Sequence, residues 1–194
     1  KIHCAGQKIK KIYLQLMKVL KFGGTSVGSV ESIKNVKKIV EACDEPVIVV
    51  VSALGGITDK LIETARLAGT GDSEYLTHFK GIIHRHHNVI DGIVPEKRKQ
   101  EVLQIVNELL DELGNIFRGV SLIKDLSAKT QNTIVSYGER ISSVIVSRVI
   151  NDAVHYDSRE FIKTEVQFNK NIVDFDLTNE PVSYTHLRAH ETEA

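Results

Sequence analysis

The chain has 194 residues, 42% hydrophobic and 26% charged, which is typical of a soluble globular protein large enough for a substantial core. Lysine plus arginine equals aspartate plus glutamate at 25 each, so the overall charge gives no reason to expect nucleic acid or an anionic membrane as a partner. No apolar run approaches the roughly 18 residues of a membrane span, and the widely spaced Cys4 and Cys43 favour reduced thiols in a cytoplasmic protein.

The two ends of the chain differ from its middle. Residues 1–16 are basic and precede the only methionine, Met17, so we interpret them as a non-native or upstream extension. The alternative is a genuine amphipathic extension. Residues 181–194 show no periodicity that continues the domain, and we interpret them as an artefactual tail. The domain itself is therefore predicted over residues 17–180.

A strand followed by a glycine turn opens the predicted domain. At Gly23 and Gly24 the absence of side chains lets backbone N–H groups approach a ligand. Thr25 and Ser26 add hydroxyl donors, Lys21 lies just before the turn, and the N-terminus of a helix follows. These features predict a phosphate site, the alternative being an ordinary tight turn with a surface lysine. The spacing matches neither a Walker A loop nor a dinucleotide-binding fingerprint.

A helix and a second strand complete a β-α-β unit. Ser29 is the predicted N-cap of a helix that runs to about Cys43. The β-branched run Val47–Val51 predicts a strand covered on both faces. In such a unit the two strands are parallel and the crossover is right-handed, so the turns Gly23–Ser26 and Ser52–Asp59 are predicted to be neighbours in space.

The second turn carries hydroxyl groups at Ser52 and Thr58 around another glycine pair. A short helix, Lys60–Ala68, is predicted to follow, with Thr58 or Asp59 as its cap. A cap and a ligand contact are compatible, because helix N-termini attract anions.

Three longer helices and a final strand are predicted beyond this turn. The first two helices, over about Ser73–Ile93 and Pro95–Ile116, form a hairpin, and Leu76 is among the residues expected to face inward. A third helix covers about Ser127–Ile150, and Val154–Ser158 is predicted as a strand.

The first helix of the hairpin contains His84, His86 and His87. Arg85 would repel a cation, so we predict solvated histidines and no metal site.

Gly138 interrupts the third helix at a cost of about 1 kcal/mol relative to alanine, which indicates that another group occupies the space of a side chain there. Glu139 is predicted to face a cleft and accept hydrogen bonds from an ammonium group. The alternative is a surface ion pair or simple helix packing on Gly138.

Three ordered blocks resemble the signature blocks of the aspartokinases in the amino-acid kinase superfamily: Lys21–Val27, Val51–Asp59 and Ser136–Glu139. Asp157–Thr164 resembles a fourth segment of that family, and the resemblance extends over residues 17–180. Within this family, the amino-acid sequence of the middle of the chain is most similar to the kinase half of bifunctional aspartokinase–homoserine dehydrogenases.

The resemblance implies an α/β three-layer sandwich with a mostly parallel central sheet. It also implies ATP- and Mg²⁺-dependent phosphorylation of the L-aspartate side chain to 4-phospho-L-aspartate, which opens lysine, threonine and methionine biosynthesis. A homo-oligomer is expected for the full-length enzyme. Other amino-acid kinases, a non-catalytic amino-acid-binding protein and a dinucleotide-binding dehydrogenase domain are the alternatives.

The resemblance also implies roles for individual residues. Lys21 would contact the transferring phosphates as the catalytic lysine, and the amides and hydroxyls of Gly23–Ser26 would line the phosphate pocket. Ser52, Thr58 and Glu139 would hold aspartate, with Glu139 on its α-ammonium. The aspartate carboxylate is already ionised at neutral pH, so no general base is needed.

The sequence lacks the second half of the family pattern. Aspartokinases continue into a Thr-Thr-Leu-Gly-Arg-Gly-Gly-Ser-Asp block and an adenine pocket that are missing here. We therefore expect an N-terminal portion of the kinase domain, without appreciable kinase activity alone.

Overall fold

The computed structural model describes residues 18–167 and 170–178. The predicted extension at 1–16, Met17 and the predicted tail at 181–194 lie outside the described residues. The chain divides into two units, one ending at Ala153 and one beginning at Val154, and each is described separately.

The first unit is a β-α-β unit followed by four helices, as the hydrophobic periodicity predicts. None of the helices in the described ranges is both long and apolar enough to cross a membrane. The elements are β1 Lys18–Phe22, α1 Val30–Glu41, β2 Val47–Val51, α2 Ile57–Thr70, α3 Tyr75–Ile93, α4 Glu96–Ile123 and α5 Ala128–Val149.

Strands β1 and β2 pair in parallel, with Lys18 opposite Val47 and Phe22 opposite Val51, which confirms the predicted topology. Alternate residues face opposite sides of the sheet, and one side packs on the helical core. On the other side Ile48 and Val50 remain 47% and 44% exposed. The prediction that β2 is covered on both faces is therefore wrong for the described residues.

The helices bury one continuous core around α4 and α5. Tyr75 is buried and its ring centroid lies 6.4 Å from that of Phe117, whereas Leu76 is 49% exposed. The expectation that Leu76 faces inward is wrong, because Tyr75, Ile82 and His86 define the buried face of α3 at helical spacing.

The second unit contains no strand at Val154–Ser158, contrary to the prediction. There the Asp157 carboxylate accepts a hydrogen bond from the Arg159 backbone N–H at 3.1 Å and caps a 3₁₀ turn, a local bond that competes with extended pairing. The unit's regular elements are the 3₁₀ turn Ser158–Glu160, the antiparallel strands β3 Thr164–Gln167 and β4 Lys170–Val173, and the short helix α6 Phe175–Thr178.

Candidate functional site

The first glycine turn is fixed by its own backbone. The Ser26 N–H donates to the Gly23 carbonyl oxygen at 2.9 Å, so this amide is not available to a ligand. The amides of Gly23, Gly24 and Thr25 donate to no acceptor among the described residues. Three of the four N–H groups of Gly23–Ser26 therefore remain for a bound anion.

A reciprocal cap starts helix α1 directly after this turn. The Ser32 N–H donates to Ser29 Oγ at 3.1 Å, and the Ser29 N–H donates to Ser32 Oγ at 2.8 Å. Ser29 is thus the N-cap, as predicted, and the positive end of the α1 dipole lies beside the turn.

The two glycine turns pack against each other through their backbones. A side chain at Gly24 would place its Cβ 3.3 Å from the Ala53 carbonyl oxygen. A side chain at Gly55 would place its Cβ 3.1 Å from the Gly24 carbonyl oxygen and 3.3 Å from the Cα atom of Gly28. The predicted proximity of the turns is confirmed, and the glycines allow it because larger residues would push the turns apart.

Helix α2 begins without a side-chain cap. Its N-cap residue is Gly56, which has φ 78°, a left-handed conformation that favours glycine. The prediction that Thr58 or Asp59 caps the helix is wrong, because the helix begins at Ile57 and places both residues inside its first turn. The half-buried Thr58 side chain makes no hydrogen bond with the described residues and stays free for a ligand.

Helix α5 brings the third sequence block to the second turn. A Cβ at Gly138 would lie 2.8 Å from Ala53 Cβ, which confirms that another group occupies the side-chain space. The Ser142 hydroxyl donates to the Ser52 carbonyl oxygen at 2.7 Å. Glu139, between these two contacts, is half-buried, and its carboxylate has no partner among the described residues.

Lys21 lies on the exposed side of β1, opposite Val50 in the register. Its ammonium group has no ion-pair partner in the described ranges. The structure thus brings the three blocks together through their backbones. The convergence of the Lys21, Thr58 and Glu139 side chains on one ligand stays a prediction.

Arg85 on α3 is a contributor that sequence reasoning missed. Its guanidinium Nη2 donates to the Gly28 carbonyl oxygen and brings a positive charge to the first turn. The two residues are 57 positions apart, so no local pattern in the sequence indicates their contact.

The three neighbouring histidines have different environments. His84 and His87 reach the side chains of Asn88 and Asn107, at 3.0 and 2.7 Å. His86 is completely buried, so the prediction that it is solvated is wrong. No group of three His, Cys, Asp or Glu side chains suited to a metal ion occurs within residues 18–167 and 170–178.

The chain is similar to aspartokinases in sequence. Aspartokinase 2 of Arabidopsis thaliana chloroplasts is 30% identical over 85% of this chain, and the chloroplastic bifunctional aspartokinase/homoserine dehydrogenase 1 of the same plant is 27% identical over 82%. The matched part is 29% of the first relative and 18% of the second, so the chain spans less than a third of either.

The fold is that of a solved aspartokinase. The crystal structure of Escherichia coli aspartokinase III in complex with aspartate and ADP superposes with a TM-score of 0.77 at 22% identity, over 88% of this chain and 38% of that one. The predicted amino-acid kinase-like α/β fold is thereby confirmed. The model of the amino acid kinase family matches residues 17–188, so the chain belongs to the amino acid kinase family.

Proposed function

We propose that this chain is the amino-acid-binding portion of an aspartokinase, which as a whole phosphorylates the side chain of L-aspartate with ATP. The observation that carries the proposal is the contact of the three sequence blocks at one edge of the sheet. In this proposal, residues 17–180 form the kinase portion. The product, 4-phospho-L-aspartate, would enter lysine, threonine and methionine biosynthesis in the cytoplasm.

The backbone of the site suits phosphoryl transfer. This reaction is catalysed mainly by positioning and charge neutralisation. The free amides of Gly24 and Thr25, the α1 dipole and the nearby Arg85 guanidinium supply positive potential at the first turn. In the proposal Lys21 adds an ammonium group over the phosphates, and the hydroxyls of Thr25 and Ser26 donate to them.

The second turn and α5 suit an amino acid. Ser52 and Thr58 offer hydroxyl groups next to the free amides at the start of α2, which favour a carboxylate. Glu139 offers a partner-free carboxylate to the α-ammonium. In the proposal Mg²⁺ accompanies the ATP phosphates, which supply ligands to it when the nucleotide is bound. A homo-oligomeric full-length enzyme is part of the same proposal.

Calorimetric titration of the 194-residue chain tests these assignments. We expect L-aspartate to bind at millimolar concentration, and Glu139→Gln to weaken it roughly tenfold to hundredfold, since a hydrogen bond to a charged group contributes about 1.5–3 kcal/mol. The matched variant Glu108→Gln, on the exposed surface of α4, leaves binding unchanged. L-glutamate binding more tightly than L-aspartate would favour a different amino-acid kinase.

Lys21→Gln tests the phosphate assignment separately. We expect it to weaken ADP and ATP binding at least tenfold and to leave aspartate binding unchanged, with the exposed Lys80→Gln on α3 as the control. Equal nucleotide affinities for Lys21→Gln and Lys80→Gln would contradict the role of Lys21. Turnover by the 194-residue chain near 1 s⁻¹, the low end for kinases, would contradict its assignment as a portion of the enzyme.

A further inference from the structure

A cationic cavity lies away from the glycine turns. It has a volume of about 320 Å³ and is bounded by the middle of α1, the carboxyl-terminal end of α5, the connection from α3 to α4 and the first turn of α4. No acidic residue is among its lining residues. The cations that line it are Lys34, Lys37, Lys97, Arg98 and Arg148.

This cavity is separate from the candidate phosphate turn. On α1, Lys34 and Lys37 lie five and eight residues beyond the N-cap at Ser29, which corresponds to about 7–12 Å along the helix. Arg148 lies six residues beyond Ser142, the α5 residue that bonds the second turn, or about 9 Å further along α5.

Three of the cations, Lys37, Arg98 and Arg148, are held by hydrogen bonds to other parts of the fold. Lys37 Nζ donates to the Val149 carbonyl oxygen at 2.7 Å and to the Glu41 carboxylate at 2.6 Å. Arg98 Nη1 donates to the Arg148 carbonyl oxygen at 3.4 Å. These contacts satisfy the last carbonyl groups of α5, where positive charge is favourable.

The Arg148 side chain has a carboxylate partner of its own: its Nε donates to Glu101 Oε1 at 3.2 Å. The carboxylates of Glu41 and Glu101 thus compensate two of the five positive charges. Arg98 lies against the negative end of the α5 dipole, so two charges, Lys34 and Lys97, remain uncompensated among the described residues. The nearby Glu96 carboxylate is already paired with Lys99 at 2.8 Å.

Lys34 and Lys97 have no such structural role. Both are exposed at the mouth of the cavity, and neither has a hydrogen-bond or ion-pair partner among the described residues. A cleft lined by charges of one sign concentrates counter-ions, and ammonium and guanidinium groups form strong, charge-assisted hydrogen bonds with phosphates and carboxylates.

We propose that this cavity binds a compact organic polyanion carrying at least two negative charges as phosphate or carboxylate groups. Its volume is at the lower end of the range for small-molecule sites, which suits a compact ligand. The proposal does not depend on the kinase assignment, because it uses none of the residues of the glycine turns.

Thermal unfolding of the 194-residue chain with millimolar pyrophosphate or citrate, against sodium chloride at matched ionic strength, tests the proposal. A ligand at ten times its Kd should raise Tm by about 3 °C or more. A shift with pyrophosphate alone assigns a phosphate ligand, and a shift with citrate alone assigns a carboxylate ligand. No shift with either anion overturns the proposal.

Variants locate the binding. The double variant Lys34→Gln/Lys97→Gln removes two unpaired charges and should raise the calorimetric Kd at least tenfold. Lys80→Gln/Lys129→Gln makes the same charge change elsewhere on exposed helix surfaces and should leave the Kd unchanged. An effect that survives Lys34→Gln/Lys97→Gln, or one that Lys21→Gln abolishes, overturns the proposal, the latter by assigning the anion to the candidate phosphate turn.

Discussion

Burial of one histidine links the stability of this chain to pH. His86 Nδ1 lies 2.8 Å from the Ile82 carbonyl oxygen, whereas Nε2 is buried without a partner. Desolvation, and to a smaller extent the charges of His87 and Arg85, lowers the pKa of His86 from 6.5 to about 4, although the bond to Ile82 opposes this shift. The folded state therefore holds a neutral imidazole at neutral pH.

We predict a loss of stability on mild acidification. Because the folded pKa is lowered, the stabilisation is fully present above pH 6.5 and is lost as the pH falls towards about 4, and the total loss of unfolding free energy is about 3 kcal/mol. Urea denaturation across this pH range measures it. His86→Leu should flatten the dependence, whereas the exposed His84→Gln should retain it; an unchanged slope in His86→Leu would refute the explanation.

At the scale of elements, the docking of α5 on the second turn depends on a position without a side chain. Gly138 is surrounded by Ala53 Cβ, Leu61 Cδ1 and Ile57 Cγ2, at 2.8, 3.3 and 3.5 Å from the position of a Cβ. Ala53 has no side-chain torsion with which to move away. Glycine lowers the helix propensity at this position, but it allows α5 to pack closely on the second turn next to Glu139.

We expect Gly138→Ala to destabilise the chain by about 1–2 kcal/mol, because overpacking costs about 1–3 kcal/mol and alanine recovers at most about 1 kcal/mol of helix propensity. Gly119→Ala in α4 is the matched control, since a Cβ there meets no atom within 4 Å. That variant should gain up to about 1 kcal/mol. The prediction fails if urea denaturation gives Gly138→Ala the same gain.

The sequence predicts what local patterns and strand topology determine. The β-α-β unit, the N-cap at Ser29 and the meeting of the two glycine turns all follow from periodicity and from the rules for parallel strands. The predicted start of α2 was wrong because the N-cap is Gly56, which starts the helix through its left-handed backbone conformation. The sequence offers no capping side chain that would mark this start.

Contacts between distant elements are the part that sequence reasoning missed. His86 is buried by packing of α3 within the helical core, and Arg85 meets Gly28 from 57 residues away. At Val154–Ser158 a single carboxylate, Asp157, outweighs strand propensity by capping a local turn.

At the scale of the whole molecule, one face of the β1–β2 sheet carries exposed apolar side chains. Val19 and its register partner Ile48 are 63% and 47% exposed on the face opposite the helical core. Neighbouring apolar residues on an open two-stranded sheet provide a surface, and strand edges, for self-association.

We predict that the 194-residue chain self-associates through this face. Val19→Thr/Ile48→Thr keeps β-branched side chains in both strands but makes the surface more polar, and should increase the monomer fraction in sedimentation velocity experiments at equal concentration. Ile123→Thr replaces a residue that is 75% exposed at the end of α4 and should not change it. Equal association of the double variant and the unmodified chain would exclude the sheet face.

The backbone contact between the glycine turns also constrains how this protein can evolve. A Cβ at Gly28 would lie 3.0 Å from the Gly24 carbonyl oxygen, and a Cβ at Gly55 would lie 3.1 Å from the same oxygen and 3.3 Å from Gly28 Cα. A larger residue at Gly28 or Gly55 would displace these main-chain atoms, so the two positions are expected to change together or to remain fixed. Selection is therefore expected to act jointly on two segments that lie about thirty residues apart in the sequence.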